Sequence, residues 1–150
     1  MFDFLWHLRG SVPLDRCVTN QAAFASVEQL LINQRKPISD PNGVIVAFDS
    51  PLWTDGFGPN WLAMSLYDQG RFWIDQGLDG RTLRYDLRSL HGFLFCLGGA
   101  VLFFSVGLAD GGLIGGLKLG VLAFGWLYGM NMLLAFTRIP RLIRKAARDA

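Results

Sequence analysis

Cysteine, histidine and net charge are all scarce in this chain, and each shortage removes a class of function. Only Cys17 and Cys96 occur, too few for a disulfide framework, and Cys96 lies in an apolar run where a thiol acts as a small hydrophobe. That usage fits a reducing, cytoplasmic setting. The formal net charge is only +2, far below the basic excess of a typical nucleic-acid binder, so no nucleic-acid partner is expected. His7 and His91 are the only histidines. No Cys-x-x-Cys, His-x-x-x-His or Walker-type glycine loop is present, which leaves metal and nucleotide readings without their ligands. A Gly-x-Ser-x-Gly elbow is also missing. Asp49, Asp55, Asp68 and Asp75 fall in expected turns and strand ends, where aspartate serves local hydrogen bonding. No catalytic residue, cofactor or metal is therefore assigned, and the chain is not expected to be an enzyme.

Apolar residues are plentiful. They make up 51% of the chain, with a mean hydropathy of +0.31, and they are unevenly placed. Residues 1–90 hold eight of the 14 Lys and Arg and ten of the 12 Asp and Glu, whereas 89–109 and 119–137 hold no charge at all. Two media are addressed by one chain. A hydrocarbon core of about 30 Å takes about 20 helical residues. The sequence thus divides into a domain at 1–88, a span at 89–109, a turn at 110–112, a second span at 113–137 and a basic tail at 138–150. The start, Met1 to Arg9, has no basic n-region and no small-residue cleavage site, so it does not read as a signal peptide; it is either the first strand or its lead-in, or an aromatic segment resting against the membrane interface.

Within 1–88, Arg9 to Leu14 is extended, with Val12 and Leu14 on one face and Pro13 suited to an edge. Thr19 or Asn20 caps a helix whose Phe24, Val27, Leu30 and Leu31 recur at helical spacing. Lys36-Pro37 and Asp40-Pro41-Asn42-Gly43 stop it and set a turn. Val44 to Phe48 is a β-branched strand, Trp61 to Tyr67 a second, Arg71 to Asp75 a third and Thr82 to Leu87 a fourth. Turns are expected at Asp68-Gln69-Gly70 and at Asp79-Gly80. The expected fold is α+β: one helix on an antiparallel meander of three to four strands, followed by a two-helix transmembrane hairpin.

The second span carries the most informative pattern. Gly112, Gly116 and Gly120 recur every fourth residue, and Gly125 with Gly129 repeats that spacing on a rotated face, which suits close helix approach. The first span, through Cys96, Ala100 and Gly107, can fill such a groove, but two glycine faces exceed what one short partner needs, so at least one face is expected to meet another subunit. Asn131, a lone amide deep in the span, needs a hydrogen-bond partner on its own pair or on a neighbour. Arg138, Arg141, Arg144, Lys145 and Arg148 are expected to rest on anionic lipid headgroups and, with Arg81, Arg84 and Arg88, to hold both termini in the cytoplasm. Trp53 and Phe57, in a Gly-Pro loop, are either core or a docking loop. His91 near a span could ligate a haem only with a histidine from a second copy.

The run Trp6-His7-Leu8-Arg9-Gly10-Ser11-Val12, with Tyr67-Asp68-Gln69-Gly70 and Leu83-Arg84-Tyr85-Asp86-Leu87 before a span, resembles a group of small uncharacterised bacterial inner-membrane proteins. The resemblance implies a bacterial membrane protein and carries no activity and no functional residue. On these grounds the expected role is a non-catalytic accessory subunit of a larger inner-membrane assembly, respiratory or photosynthetic. The alternatives are a self-associating scaffold or sensor, and an enzyme acting at the membrane surface.

Overall fold

The computed structural model describes residues 6–40, 44–50, 64–65, 67–77 and 80–149. Five strands and two helical elements follow one another as β1 (His7–Pro13), α1 (Asn20–Asn33), β2 (Ile38–Asp40), β3 (Ile45–Asp49), β4 (Gln69–Gly77), β5 (Gly80–Arg88) and α2 (Leu90–Arg148). The strands form one antiparallel sheet in the order β1-β5-β4-β3-β2. The expected α+β character holds, but two parts of the expected fold need correction.

The first correction is to the strand count. Among the described residues the sheet has five strands, not three to four. β2 lies where a turn was expected and pairs with β3. Gln69 and Gly70 belong to β4 and do not turn the chain. Residues 64–65, inside the expected Trp61–Tyr67 strand, form a turn; the remainder of that segment, Tyr67 apart, lies outside the described residues. A packing requirement explains why Gly70 looked like a turn. Its missing side chain makes room for the Phe48 ring and the Leu87 methyls on the neighbouring strands, and a Cβ there would overlap both.

Alternation along the strands turns Leu8, Val12, Val46, Phe48, Phe72, Leu83, Tyr85 and Leu87 to one face. α1 lies on that face. Thr19, extended at φ −76° and ψ 156°, caps it by accepting from the Ala22 amide at 3.1 Å. Ala23, Phe24, Val27, Leu30 and Leu31 are its buried stripe. The helix ends where Arg35 turns left-handed at φ 55°, so that the Lys36 amide donates back to Leu31 O at 2.9 Å.

The second correction concerns the expected two-helix transmembrane hairpin. After the sheet comes one helical element, α2, running from Leu90 to Arg148 with no separate loop. Only Gly111 (φ −131°, ψ 15°) and Gly112 (φ 64°, ψ −161°) leave helical backbone values. The left-handed φ at Gly112 is one that glycine adopts without a Cβ clash, so the change of direction is absorbed inside the element. Residues before and after this break lie against one another. A Cβ on Gly107 would meet Gly115 O at 2.7 Å, one on Gly116 would meet Phe104 O at 2.9 Å, and one on Gly120 would meet Ala100 O at 3.3 Å. Small side chains at Gly92, Cys96 and Ala100 are buried on the same side.

α2 is long and apolar enough to cross a membrane. Its exposed surface carries large hydrophobic side chains from Leu94 through Phe136, more apolar area than a soluble monomer normally leaves in water. The segment 138–148, expected as a tail, is the continuation of this helix through Pro140. Ile139, Ile143 and Ala147, spaced one turn apart, are buried in the same core as the sheet and α1.

Candidate functional site at the junction of sheet and helix

β5 stops at Arg88 and α2 begins at Leu90, leaving Ser89 as the only connector. Ser89 makes no side-chain cap. Its amide donates to Trp6 O at 2.7 Å, and its hydroxyl donates to the same carbonyl at 3.2 Å. The cap comes from another strand. Asp68 is 2% exposed; its Oδ1 accepts from the Leu90 amide at 2.8 Å, and its Oδ2 meets Arg88 through Nε and Nη2, both at 2.9 Å. A carboxylate there satisfies an orphan amide and the positive end of the helix dipole, while the guanidinium offsets its desolvation. The backbone of Asp68 is held as well: its amide donates to Arg88 O at 2.9 Å, and its carbonyl accepts from the Ser50 amide at 2.7 Å.

Beside this clamp lies Lys36, almost fully buried. Its ammonium donates to Tyr67 O at 2.6 Å and sits 5.6 Å from the centre of the Phe48 ring, two favourable settings for a desolvated cation. Aromatic rings fill the space on the α2 side. Phe93 makes edge contacts with Trp6 at 5.6 Å, Phe124 at 5.5 Å and Tyr128 at 5.4 Å. Phe124 and Tyr128 stack at 5.4 Å.

The Tyr67 hydroxyl is buried with no hydrogen-bond partner among the described residues. Burial pushes its pKa well above the usual phenol range, and Tyr128 and Tyr85 add smaller pushes in the same direction. Burial also raises Tyr85, against a lowering effect from Arg144. An orphaned buried hydroxyl costs about 1–3 kcal/mol, so Tyr67→Phe should stabilise the fold by about 1 kcal/mol. The pH dependence has a definite sign. A folded pKa above the unfolded one gives stability that is complete below about pH 10 and lost as pH rises further. Urea unfolding in detergent at about pH 8 and about pH 11 should therefore show a smaller alkaline loss in the variant than in the parent. A destabilised Tyr67→Phe would show that the hydroxyl is partnered.

On the other face of the sheet, Asp86 holds His7 Nδ1 at 2.6 Å and accepts from Arg9 Nε at 2.8 Å. Asp75 pairs with Arg84 at 2.9 Å. A histidine oriented by a carboxylate is one half of a nucleophile-activating pair, but among the described residues no hydroxyl or thiol hydrogen-bonds His7. Nor do three His, Cys, Asp or Glu side chains gather as a metal set among those residues. His91 is half-buried in the first turn of α2.

The residues singled out in the sequence are distributed as follows. Gly116 and Gly120 face Phe104 and Ala100 of the earlier part of α2. Gly112 is the bend itself, and a Cβ there would meet nothing within 4 Å. A Cβ on Gly125 or Gly129 would likewise meet nothing within 4 Å. Asn131 donates to Leu127 O, one turn back, at 2.8 Å and lies 4.0 Å from Cys96 Sγ. Arg138, Arg141, Arg144, Lys145 and Arg148 are all exposed. Trp53 and Phe57 lie outside the described residues. Asp68 as a helix cap and Lys36 as a buried cation had no local sequence signal, because each partner is distant in the chain. No protein-family model matches this chain, and neither a curated protein nor a solved structure matches it.

Proposed function

We propose that this protein is a non-catalytic accessory subunit of a larger bacterial inner-membrane assembly, anchored by α2, with the sheet and the end of α2 on the cytoplasmic side. The observation that carries this reading is the shared core. Ile139, Ile143 and Ala147 of the membrane-type helix close the inner face of the sheet, and Asp68 locks the start of the same helix to β4 and β5. A domain fixed at both ends of its anchor is held at one height and angle, which suits a subunit that braces neighbours. The basic residues Arg84, Arg88, Arg138, Arg141, Arg144, Lys145 and Arg148 flank the domain end of α2, against Lys118 and Asp110 near the bend; that asymmetry supports the cytoplasmic placement. Gly125 and Gly129, open in this chain, offer an approach for a partner helix. A respiratory or photosynthetic complex is a fitting host.

The test is isolation of the full-length protein, at native expression, in mild detergent, followed by native mass spectrometry. Recovery in a larger assembly is expected, and Gly125→Leu with Gly129→Leu should release the chain from it. Recovery of this chain alone, as a monomer or homo-oligomer, would overturn the reading; a homo-oligomer dissociated by the same pair of substitutions would establish a self-associating scaffold instead.

A further inference from the structure

Ile32 and Arg35 are both exposed at the end of α1, and hydrogen bonds fix where that end lies. At the start of the helix, Asn20 Oδ1 accepts from Arg81 Nη1 at 2.8 Å. Arg81 is seven residues before Arg88 in β5, about 23 Å from the end of the strand that enters α2. At the finish, Lys36 donates to Tyr67 O at 2.6 Å, next to the Asp68 carboxylate that holds the Leu90 amide. Strand register agrees. Ile38 of β2 stands opposite Phe48, Phe48 opposite Gly70, and Gly70 opposite Leu87. β2 leads from that row away from the start of α2, because it is antiparallel to β3. Residues 35 and 36 come before the row and so stand level with Ser89 and Leu90. α1 runs toward the membrane-type helix, and Arg35 is its tip.

The depth of that level follows from α2. Its exposed large hydrophobic side chains begin at Leu94 and end at Phe136. Leu90 stands about 6 Å before the first of them on the helix rise, inside a headgroup layer about 5–8 Å deep. Ile139, buried in the core beneath the sheet, stands about 4.5 Å beyond Phe136, so the two arms give one depth. Trp6 meets Phe93 at 5.6 Å and lies at the same level, where tryptophan is favoured.

The tip is closed for such a layer. Arg35, left-handed at φ 55°, donates its amide to Ile32 O at 2.9 Å, while the Lys36 amide donates to Leu31 O and the Gln34 amide to Leu30 O. Three of the last four carbonyls of α1 are thereby satisfied without water, and a cation stands at the negative end of the helix dipole.

We propose that the end of α1 is a second membrane contact, in which Ile32 lies among lipid headgroups and Arg35 binds the phosphate of an anionic phospholipid. The surface is level with the entry of α2, and that continuity assigns it to lipid. The proposal rests on the reading of α2 as a membrane helix and adds an orientation: the strands and α1 stand with their α2 end in the headgroups.

Ile32→Cys, Gln21→Cys and Leu122→Cys are each made in the full-length protein with Cys17→Ser and Cys96→Ala, labelled with bimane and placed in phosphatidylcholine nanodiscs. Protease resistance of the sheet domain is checked first. The Ile32 label should be quenched by phosphatidylcholine carrying a headgroup nitroxide and shielded from iodide, whereas the Gln21 label should show the reverse. Replacing a tenth of the unlabelled lipid by phosphatidylglycerol should reduce headgroup-nitroxide quenching at Ile32, since a surface cation enriches anionic lipid about fivefold; Arg35→Asn should abolish that reduction. Quenching at Ile32 matching that at Gln21 would overturn the proposal. Shielding from both quenchers would also overturn it, because protein would then cover Ile32. No effect of Arg35→Asn would remove the phosphate contact. The Leu122 label separates the two readings: quenched by an acyl-chain nitroxide, it keeps α2 in the bilayer whatever Ile32 does, and quenched by iodide it overturns the membrane reading itself.

Discussion

Replacing Ile139 and Ile143 together with alanine should unfold the sheet domain while leaving the apolar part of α2 helical. Both side chains are completely buried in a core built mainly from the sheet and α1, with Leu14, Met64, Tyr67 and Ala147 beside them. Truncating a buried isoleucine costs about 2–5 kcal/mol through lost transfer energy and the cavity left behind. Two such losses approach the whole stability of a typical domain, about 5–15 kcal/mol. The stretch up to Phe136 keeps its helix, because its backbone bonds are satisfied internally in lipid or detergent. Far-ultraviolet circular dichroism should therefore lose strand signal while the helical minimum largely persists, and protease should cut within β1 to β5. As a control, Leu102→Ala should have little effect on the sheet domain, since Leu102 is 70% exposed. If the double variant left the domain protease-resistant, the end of α2 would be a passenger and the bracing role would fall with it.

Asp68→Ala should cost about 3 kcal/mol, the effect expected when one member of a buried ion pair is removed. It strips the Leu90 amide of its acceptor and leaves Arg88 without its anion. Asp68→Asn is the informative companion. An amide oxygen still accepts from Leu90 but cannot neutralise Arg88, so this variant should recover only part of the loss. A double-mutant cycle with Arg88→Ala, measured by urea unfolding in detergent, separates the pair from the cap. Equal stabilities for Asp68→Ala and the parent would mean that the junction is held by Ser89 and Trp6 alone.

The sequence was readable where structure is local. The stripe of α1, its Thr19 cap, and the alternation of β5 all follow from periods of 3.6 and 2, and the structure keeps them. The uncharged stretches on either side of Gly111 and Gly112 marked where the membrane-type helix would lie. Reading failed where a residue's role depends on partners far along the chain. Gly70 resembles a turn residue because glycine breaks strands, yet its purpose is to seat Phe48 and Leu87. β2 is three residues long and exists through β3 alone. Ile139, Ile143 and Ala147 do lie at helical spacing, but the cations between them read as a tail, and nothing local says that a sheet residues away needs covering. Asp68 lies 22 residues before the amide it caps, a separation that no capping pattern spans.

The shared core also sets an order of events during synthesis. β5 is complete as soon as Arg88 emerges, yet the residues that seal its inner face come only after every apolar turn of α2 has been made. The nascent sheet must therefore wait with Leu8, Val12 and Tyr85 incompletely covered until the whole of α2 has been made and its end has packed against them. Completion of α2 becomes the step that licenses folding of the sheet. A chain that stops short of Ile139 is left with an open hydrophobic sheet, the kind of surface that chaperones and proteases recognise.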